Sequence, residues 1–470
     1  MRIEQMYTNC LAEAAYYIES KGEAAVIDPL RDIEPYLERA LLHNAKIKYI
    51  FLTHFHADFV SGHIDLAKRT GATIVFGPGA EAEFDFHEGK DGEIFKIGDL
   101  TLELLHTPGH TMESISLLLK DDKGKDQCIF TGDALFIGDV GRPDLAVKSD
   151  LTQEDLATHL YHSLRNKIMP LDDDIIVYPN HGAGSACGKN MSKETFDTLG
   201  HQKEVNYALR ADMTVEEFVK EVLTGLKTPP QYFPKNAMMN KSVNLDIDTI
   251  LEKGTKPLDV ETFKSMAEHK EALVLDCRSR QEFAKSHIPG SWFIGLDGNF
   301  APWVGALIED IKQPIIFVAP FGREEEAVSR LSRIGYDNTL GFLDGGLKAW
   351  KEAGFETSSV KSILATEMEK DLREKGINLI DVRKESEYLS EHCIDASNEP
   401  LDTLLNNLDA FDENETYYIH CAGGYRSMIA CSILKANGKQ NVIDIQGGFA
   451  AIKDTTNLTL SEYVCPSTLL

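Results

Sequence analysis

The sequence predicts a multidomain α/β protein, in which a β-rich domain precedes two small α/β domains with parallel sheets. Three observations carry that expectation. The chain has 470 residues, more than one ordinary domain holds. Its first half alternates short β-rich runs with polar loops. Its second half contains a degenerate internal repeat, the mark of a duplicated module.

In the first half, "YYIES" and "AAVIDP" read as a hairpin and "EPYLERALLHNA" as a helix. The strands "IKYIFLT", "TIVFG", "LTLELLHTPG", "SISLLLK", "QCIFTGD" and "DIIVYPNHG" follow, with "HIDLAKRTG" a helix between the first two. "TVEEFVKEVLTG" reads as a closing helix. Between 226 and 257, "LKTPPQYFPKNAMMNKSVN" carries three prolines and little periodicity, so a boundary is expected there.

In the second half, "LVLDCRSRQEFAKSHIPGSWFI" (273–294) matches "NLIDVRKESEYLSEHCIDASNE" (378–399), and "IIFVAPFGREEEAVSRLSRIGY" (315–336) matches "YYIHCAGGYRSMIACSILKANG" (417–438). "TLGFLDGGLKAW" matches "VIDIQGGFAAI" in the same order. Each copy reads strand, loop, strand, loop, helix, strand, helix, which suits a small parallel sheet. The expected domains are 1–240, 255–358 and 359–470.

The net charge of -27 argues against nucleic acid or an anionic membrane surface as the main partner. No secretory signal opens the sequence and no apolar run reaches the roughly 20 residues of a membrane helix. Eight cysteines without CxxC pairs fit reduced thiols, so a cytoplasmic location is expected.

His54, His56, Asp58, His110, Asp133 and His181 stand just past the ends of expected strands, where a sheet presents loop side chains to a cleft. Metal binding is the expectation, because six residues of ligand type in strand-end loops are hard to assign to structure alone. "THFHADFVSGH" begins as a two-metal pattern, His-x-His-x-Asp-His, but holds Phe59 where the last His belongs. Phe59 has no lone pair to donate, so a second ion loses a ligand.

The set THxHxD, TPGHT, TGD and a late NH resembles the metallo-β-lactamase superfamily over about the first 225 residues. The resemblance implies an αββα sandwich with the site at one edge. Within that superfamily, "TGDALFIGDVGRPDL" and "YPNHGAG" look most like the persulfide dioxygenases, which implies one mononuclear iron(II), Fe(II), held by His54, His110 and Asp133. Two His and one carboxylate leave three positions open, room for a sulfur substrate and O2 together. His56, Asp58 and His181 are then expected to orient ligands or bond substrate. Arg142, with Asp144, is expected to support its loop rather than contact substrate. Cys187, two residues past "GAGS", is held as a possible thiol near the cleft.

"HCAGGYRS" lies between an expected strand and helix. In Cys-x-x-Gly-x-Arg, the backbone N–H groups of Ala422, Gly423, Gly424, Tyr425 and Ser427 can curl around the sulfur of Cys421 and stabilise a thiolate or persulfide anion. Arg426 would tie the loop down or steer an anionic acceptor. With "IDVR" before it and "GG" after it, the segment resembles the rhodanese sulfurtransferases over about 360–458. The earlier copy has Ala319 for Cys421 and Glu324 for Arg426, so it reads as a catalytically silent rhodanese-like domain, a scaffold for which self-association into a homo-oligomer is expected.

The order of the three domains resembles persulfide dioxygenase–sulfurtransferase fusions. That implies oxidation of a low-molecular-weight persulfide by O2 to sulfite, then transfer of sulfur from Cys421 to sulfite to give thiosulfate. A zinc thioester hydrolase of the glyoxalase II kind fused to a sulfurtransferase is the main rival, and Phe59 counts against it. A non-catalytic sensor or scaffold for sulfur stress is the second rival.

Overall fold

The structure, a computed structural model, describes residues 1–147, 150–269 and 272–465. The last five positions of the domain expected over 359–470 lie outside the described residues. The chain divides into two compact units: Met1–Ile247 with Ser332–Gly335, and Asp248–Leu331 with Tyr336–Leu470.

Among the described residues, the first unit builds two six-stranded sheets. One runs β1 (Arg2–Thr8), β2 (Glu13–Ser20), β3 (Glu23–Ile27), β4 (Lys46–Phe51), β5 (Thr73–Phe76) and β6 (His87–Glu88), each strand paired with the next. The other contains β7 (Ile94–Ile97), β8 (Leu100–His106), β9 (Ile115–Lys120), β10 (Asp126–Gly132), β11 (Ile176–Pro179) and β12 (Asp197–Thr198), again in sequence order. The alternation of side chains along a strand decides what each residue faces. In β9, Leu117 and Leu119 join Tyr16, Ile18, Ile27 and Phe51 in the core between the sheets. Leu118 points the other way, into a second core with Leu156's helix neighbours Leu160 and Leu164 and with Phe218. The helix His63–Thr70 covers β4 and β5 on the opposite side. The result is four layers, αββα, as the resemblance implied.

Two features differ from the sequence reading. β1 was not anticipated, because its half-exposed residues give a weak apolar signal; it exists through full pairing with β2, Arg2 to Glu19 through Thr8 to Glu13. The Pro-rich segment expected as a boundary carries two short helices, Phe233–Met239 and Ile247–Gly254. Pro234 lies in the first turn of the former, where its missing N–H has no partner to lose. Asn240, at the end of that helix, donates from its side chain to the His56 and Phe59 carbonyls, so this segment also holds the metal loop, and the division between the two units falls inside it, after Ile247.

The second unit contains two five-stranded sheets of the same order. The strands are β13 (Pro257–Leu258), β14 (Leu273–Asp276), β15 (Trp292–Phe293), β16 (Ile315–Val318) and β17 (Thr339–Leu343), arranged β13-β17-β16-β14-β15. The second copy has β18 (Lys361–Ile363), β19 (Asn378–Asp381), β20 (Ala396–Asn398), β21 (Tyr417–His420) and β22 (Val442–Ile445), arranged β18-β22-β21-β19-β20. Every pairing is parallel. The central strands β16 and β21 are buried at all four positions, as strands covered on both faces must be. Both copies use one buried ion pair at the end of the second strand: Arg278 on Asp276 and Arg383 on Asp381, each at 2.6 Å. Each arginine also donates to a carbonyl eight residues on, Ser286 or Glu391, which closes the following helix against the sheet. Ala319 and Cys421 follow directly after β16 and β21, at equivalent places. Among the described residues, no helix is long and apolar enough to cross a membrane.

Candidate metal centre and thiol loop

The loop after β4 supplies His54, His56 and Asp58; the loops after β8, β10 and β11 supply His110, Asp133 and His181. The ligand-capable atoms of His54, His110 and Asp133 lie within 4.8 Å of one another, and all three side chains are buried. His110 Nε2 is 3.4 Å and His54 Nε2 3.8 Å from Asp133 Oδ2, while His181 Nε2 is 3.5 Å from Oδ1.

Hydrogen bonds behind the rings fix which nitrogen faces the carboxylate. His110 Nδ1 lies 2.9 Å from the Arg142 carbonyl and His181 Nδ1 3.1 Å from the Ala12 carbonyl. A carbonyl only accepts, so both Nδ1 atoms carry the proton and both Nε2 lone pairs point inward. His54 is set by a relay. Asp28 Oδ2 accepts from Thr53 Oγ1 at 2.8 Å, which leaves that hydroxyl to accept from His54 Nδ1 at 3.0 Å. Burial, with the charges of His56, His110 and His181, holds the His54 ring well below its usual proton affinity, so it is neutral. For His56, burial opposes the charge, but the Asp28 carboxylate 2.8 Å away outweighs it and raises the pKa.

Among the described residues, His54 Nε2, His181 Nε2 and both oxygens of Asp133 and Asp58 have no hydrogen-bond partner. Buried polar atoms left this way are costly unless something closes them. A cation coordinated by His54, His110 and Asp133 does so, and a donor set of two imidazole nitrogens and one carboxylate suits a divalent transition metal. A second buried group, Asp58, His181 and Cys187, also brings ligand atoms within 4.8 Å of one another. Burial, with the Asp58 and Asp133 charges, pushes the Cys187 thiol well up, which keeps it protonated without a cation. Phe59 is fully buried and stacks on His56, ring centroids 4.3 Å apart.

Arg142 grips Asp144 through two contacts of 2.7 Å and donates to the Ala186 and Lys227 carbonyls, so its guanidinium serves the loop. Its backbone reaches the centre instead: its carbonyl holds His110 and its N–H donates to the Cys187 carbonyl. Asp28 was missed in the sequence, where "AAVIDP" reads only as one half of a hairpin. It accepts from Thr53 N, Thr53 Oγ1, His56 Nε2 and Asn180 Nδ2, four donors on two oxygens. His63, the last histidine of "THFHADFVSGH", stands apart from both ligand groups and packs on Phe76 and Phe84.

In the thiol loop, Cys421 Sγ accepts from Gly424 N at 3.1 Å. Gly424 has φ +98° and precedes the helix Tyr425–Ala436, a backbone conformation that a side chain would strain. Arg426 binds Glu387 through both terminal nitrogens, at 2.6 and 2.9 Å, and so ties the loop to the helix Glu385–Ser390. Ser427 Oγ lies 3.8 Å from Sγ and donates to Asp444 at 2.6 Å. Ala422 and Gly423 are exposed while Cys421 itself is buried. Phe449 N donates to the Cys421 carbonyl at 2.6 Å, an approach that requires Gly448 to lack a Cβ. In the other copy, the Glu324 carboxylate accepts from the loop's own Gly322 N–H at 3.2 Å.

Comparison with known proteins follows the same division. Residues 8–181 match the metallo-beta-lactamase superfamily model, and residues 259–353 and 364–455 each match the rhodanese-like domain model. The chain is 30% identical to hydroxyacylglutathione hydrolase GloC of Haemophilus influenzae, across 38% of this chain and 89% of that protein. It is 31% identical to the mitochondrial persulfide dioxygenase ETHE1 of Homo sapiens, across 44% of this chain and 73% of that protein. A crystal structure of a metallo-beta-lactamase from Staphylococcus aureus subsp. aureus COL superposes with a TM-score of 0.62 at 30% identity, covering 73% of this chain and 98% of that one.

Two outcomes are expected from this geometry. Asp28→Ala releases Thr53, His56 and Asn180 together and should weaken metal affinity about 10–100-fold in a chelator competition, the usual scale for such supporting contacts. His63 provides a pH test. Burial and the His56 charge lower its pKa from the ordinary 6.5 to about 3. Below about pH 6.5 the unfolded chain takes up a proton that the folded one refuses, so stability falls as the pH drops from there towards 3. On lowering the pH from about 7.5 to about 5, the protein should lose about 2 kcal/mol more than its His63→Phe variant in denaturant unfolding. Equal losses would contradict the buried, neutral state of His63.

Proposed function

The chain belongs to the metallo-beta-lactamase superfamily and continues into rhodanese-like domains, and from that premise we propose a bifunctional sulfur-oxidising enzyme. Its first unit oxidises a low-molecular-weight persulfide: RSSH + O2 + H2O gives RSH, sulfite and two protons. Its thiol loop then makes thiosulfate. Cys421 takes the outer sulfur of a second RSSH, releasing RSH, and the resulting Cys421 persulfide passes that sulfur to sulfite, restoring the thiol.

The observation that carries the reading is the pairing of one complete ligand set, His54, His110 and Asp133, with Phe59 where a further histidine would serve a second ion. The likeness to a protein named persulfide dioxygenase supports it. The three residues would hold one iron(II), and bound iron supplies the unpaired electrons that O2 needs to react with a closed-shell persulfide. The chain's own groups do the rest. The Nδ1 bonds of His54 and His110 hold both rings in the tautomer that donates inward. Phe59, stacked on His56, puts an apolar ring where a further histidine would bring a ligand atom. Burial raises the Asp58 carboxyl against the pull of His181 and His56, so Asp58 can take up a released proton. His181 Nε2, with its Nδ1 committed to Ala12, is a second acceptor.

One observation favours a second reading. Asp58, His181 and Cys187 form a further ligand group, and an ion there would make a two-metal thioester hydrolase in spite of Phe59. The likeness to hydroxyacylglutathione hydrolase points the same way.

Product analysis under O2 with a low-molecular-weight persulfide tests the proposal. Cys421→Ser should keep substrate oxidation but stop at sulfite, and normal thiosulfate formation by this variant would refute the role of Cys421. Asp133→Ala should lose metal and oxidation while transfer from thiosulfate to cyanide survives. Sulfite formation by Asp133→Ala at the normal rate would refute the ligand set.

A further inference from the structure

The silent rhodanese-like copy reaches the thiol loop of the active one, and it does so at one peptide. Gly424 N–H donates to Cys421 Sγ. The carbonyl of the same peptide unit, Gly423 O, accepts from Arg280 Nη1, and Arg280 belongs to the silent copy, at the start of the helix Arg280–Lys285. In a planar trans peptide the N–H and C=O point in opposite directions. Arg280 therefore grips the far end of the peptide whose near end bonds the sulfur.

That peptide joins two glycines and would turn over easily, since glycine accepts either hand of backbone. Turned over, it would bring a carbonyl oxygen to the sulfur in place of an N–H and repel a thiolate or persulfide anion. A cation on the carbonyl opposes the turn, and it also polarises the peptide so that the N–H donates more strongly. Arg280 has no ion-pair partner among the described residues, whereas Arg426 is spent on Glu387. The Arg280 guanidinium comes close to the Gly424 α-carbon, which its left-handed backbone already restricts to glycine. The silent copy also fixes the next residue: Tyr425 Oη donates to the Gly295 carbonyl at 2.7 Å, and its ring lies against Gly298, where no side chain fits.

We propose that Arg280 is a positioning residue for Cys421, holding and polarising the Gly423–Gly424 peptide, so that the copy lacking a nucleophile supplies part of the sulfur-transfer site. This inference rests on the reading of Cys421 as the sulfur carrier.

The test uses the full chain, with thiosulfate as donor and cyanide as acceptor, and follows iodoacetamide alkylation of Cys421 against pH. Arg280→Met should lower kcat roughly tenfold, the scale of one hydrogen bond to a charged group, and move the alkylation profile to higher pH. The thiosulfate KM should change by less than about twofold, because Arg280 acts on the loop and not on the donor. Arg280→Lys, which keeps a charge in a less directed form, should recover part of the loss. Ser432→Ala removes another hydrogen bond between the copies, from Phe293 N, without touching the peptide, and should leave kcat and the profile unchanged. The proposal is overturned if Arg280→Met matches the parent protein, if Lys recovers nothing, or if Ser432→Ala reproduces the loss. Cys421→Ser must be inert in the same assay; sulfur transfer by that variant would sink the reading of Cys421, a result separate from any of the Arg280 outcomes.

Discussion

Asp133 is buried with neither carboxylate oxygen accepting a hydrogen bond from the described residues, and much of the first unit is organised around that exposed demand for a cation. Three histidines direct Nε2 lone pairs towards it from three different loops. None could do so without a partner on the other ring nitrogen, and those partners are backbone carbonyls or the Asp28–Thr53 relay. The sandwich matters here because its strands end together. Four loops meet at one edge, and each needs only a few residues to bring its ligand in.

The second unit surrounds a different group, the buried thiol of Cys421. Its means are mostly backbone. Gly424 N–H faces the sulfur, the helix Tyr425–Ala436 starts beside it, and Arg426 is paired with Glu387. The copy with Ala319 in place of Cys421 has the same sheet order and the same Asp–Arg pair.

Much of this was legible in the sequence because the decisive residues sit beside strong local signals. His54, His110, Asp133 and His181 each follow a β-rich run, and Cys421 lies between a run of buried residues and a helix, so strand ends located them. The repeat placed Ala319 opposite Cys421 without any coordinates. What escaped was long-range pairing. Asp28 falls in one half of an expected hairpin, and nothing there shows that it will gather Thr53, His56 and Asn180. Asn240 lies in a segment whose prolines suggested only a boundary, and nothing local announces that its side chain holds two carbonyls of the metal loop. Arg280 reads as an ordinary first-turn residue of a helix, and its contact with Gly423 spans 143 positions.

The central claim is that the first unit is an oxygen-using centre with one metal. Protein purified without air, analysed for bound metal and then given a low-molecular-weight persulfide in an oxygen electrode tests it most directly. The account predicts one iron per chain and one O2 consumed for each sulfite formed in the Cys421→Ser background. Stoichiometric zinc, with thioester cleavage and no O2 uptake, would contradict it.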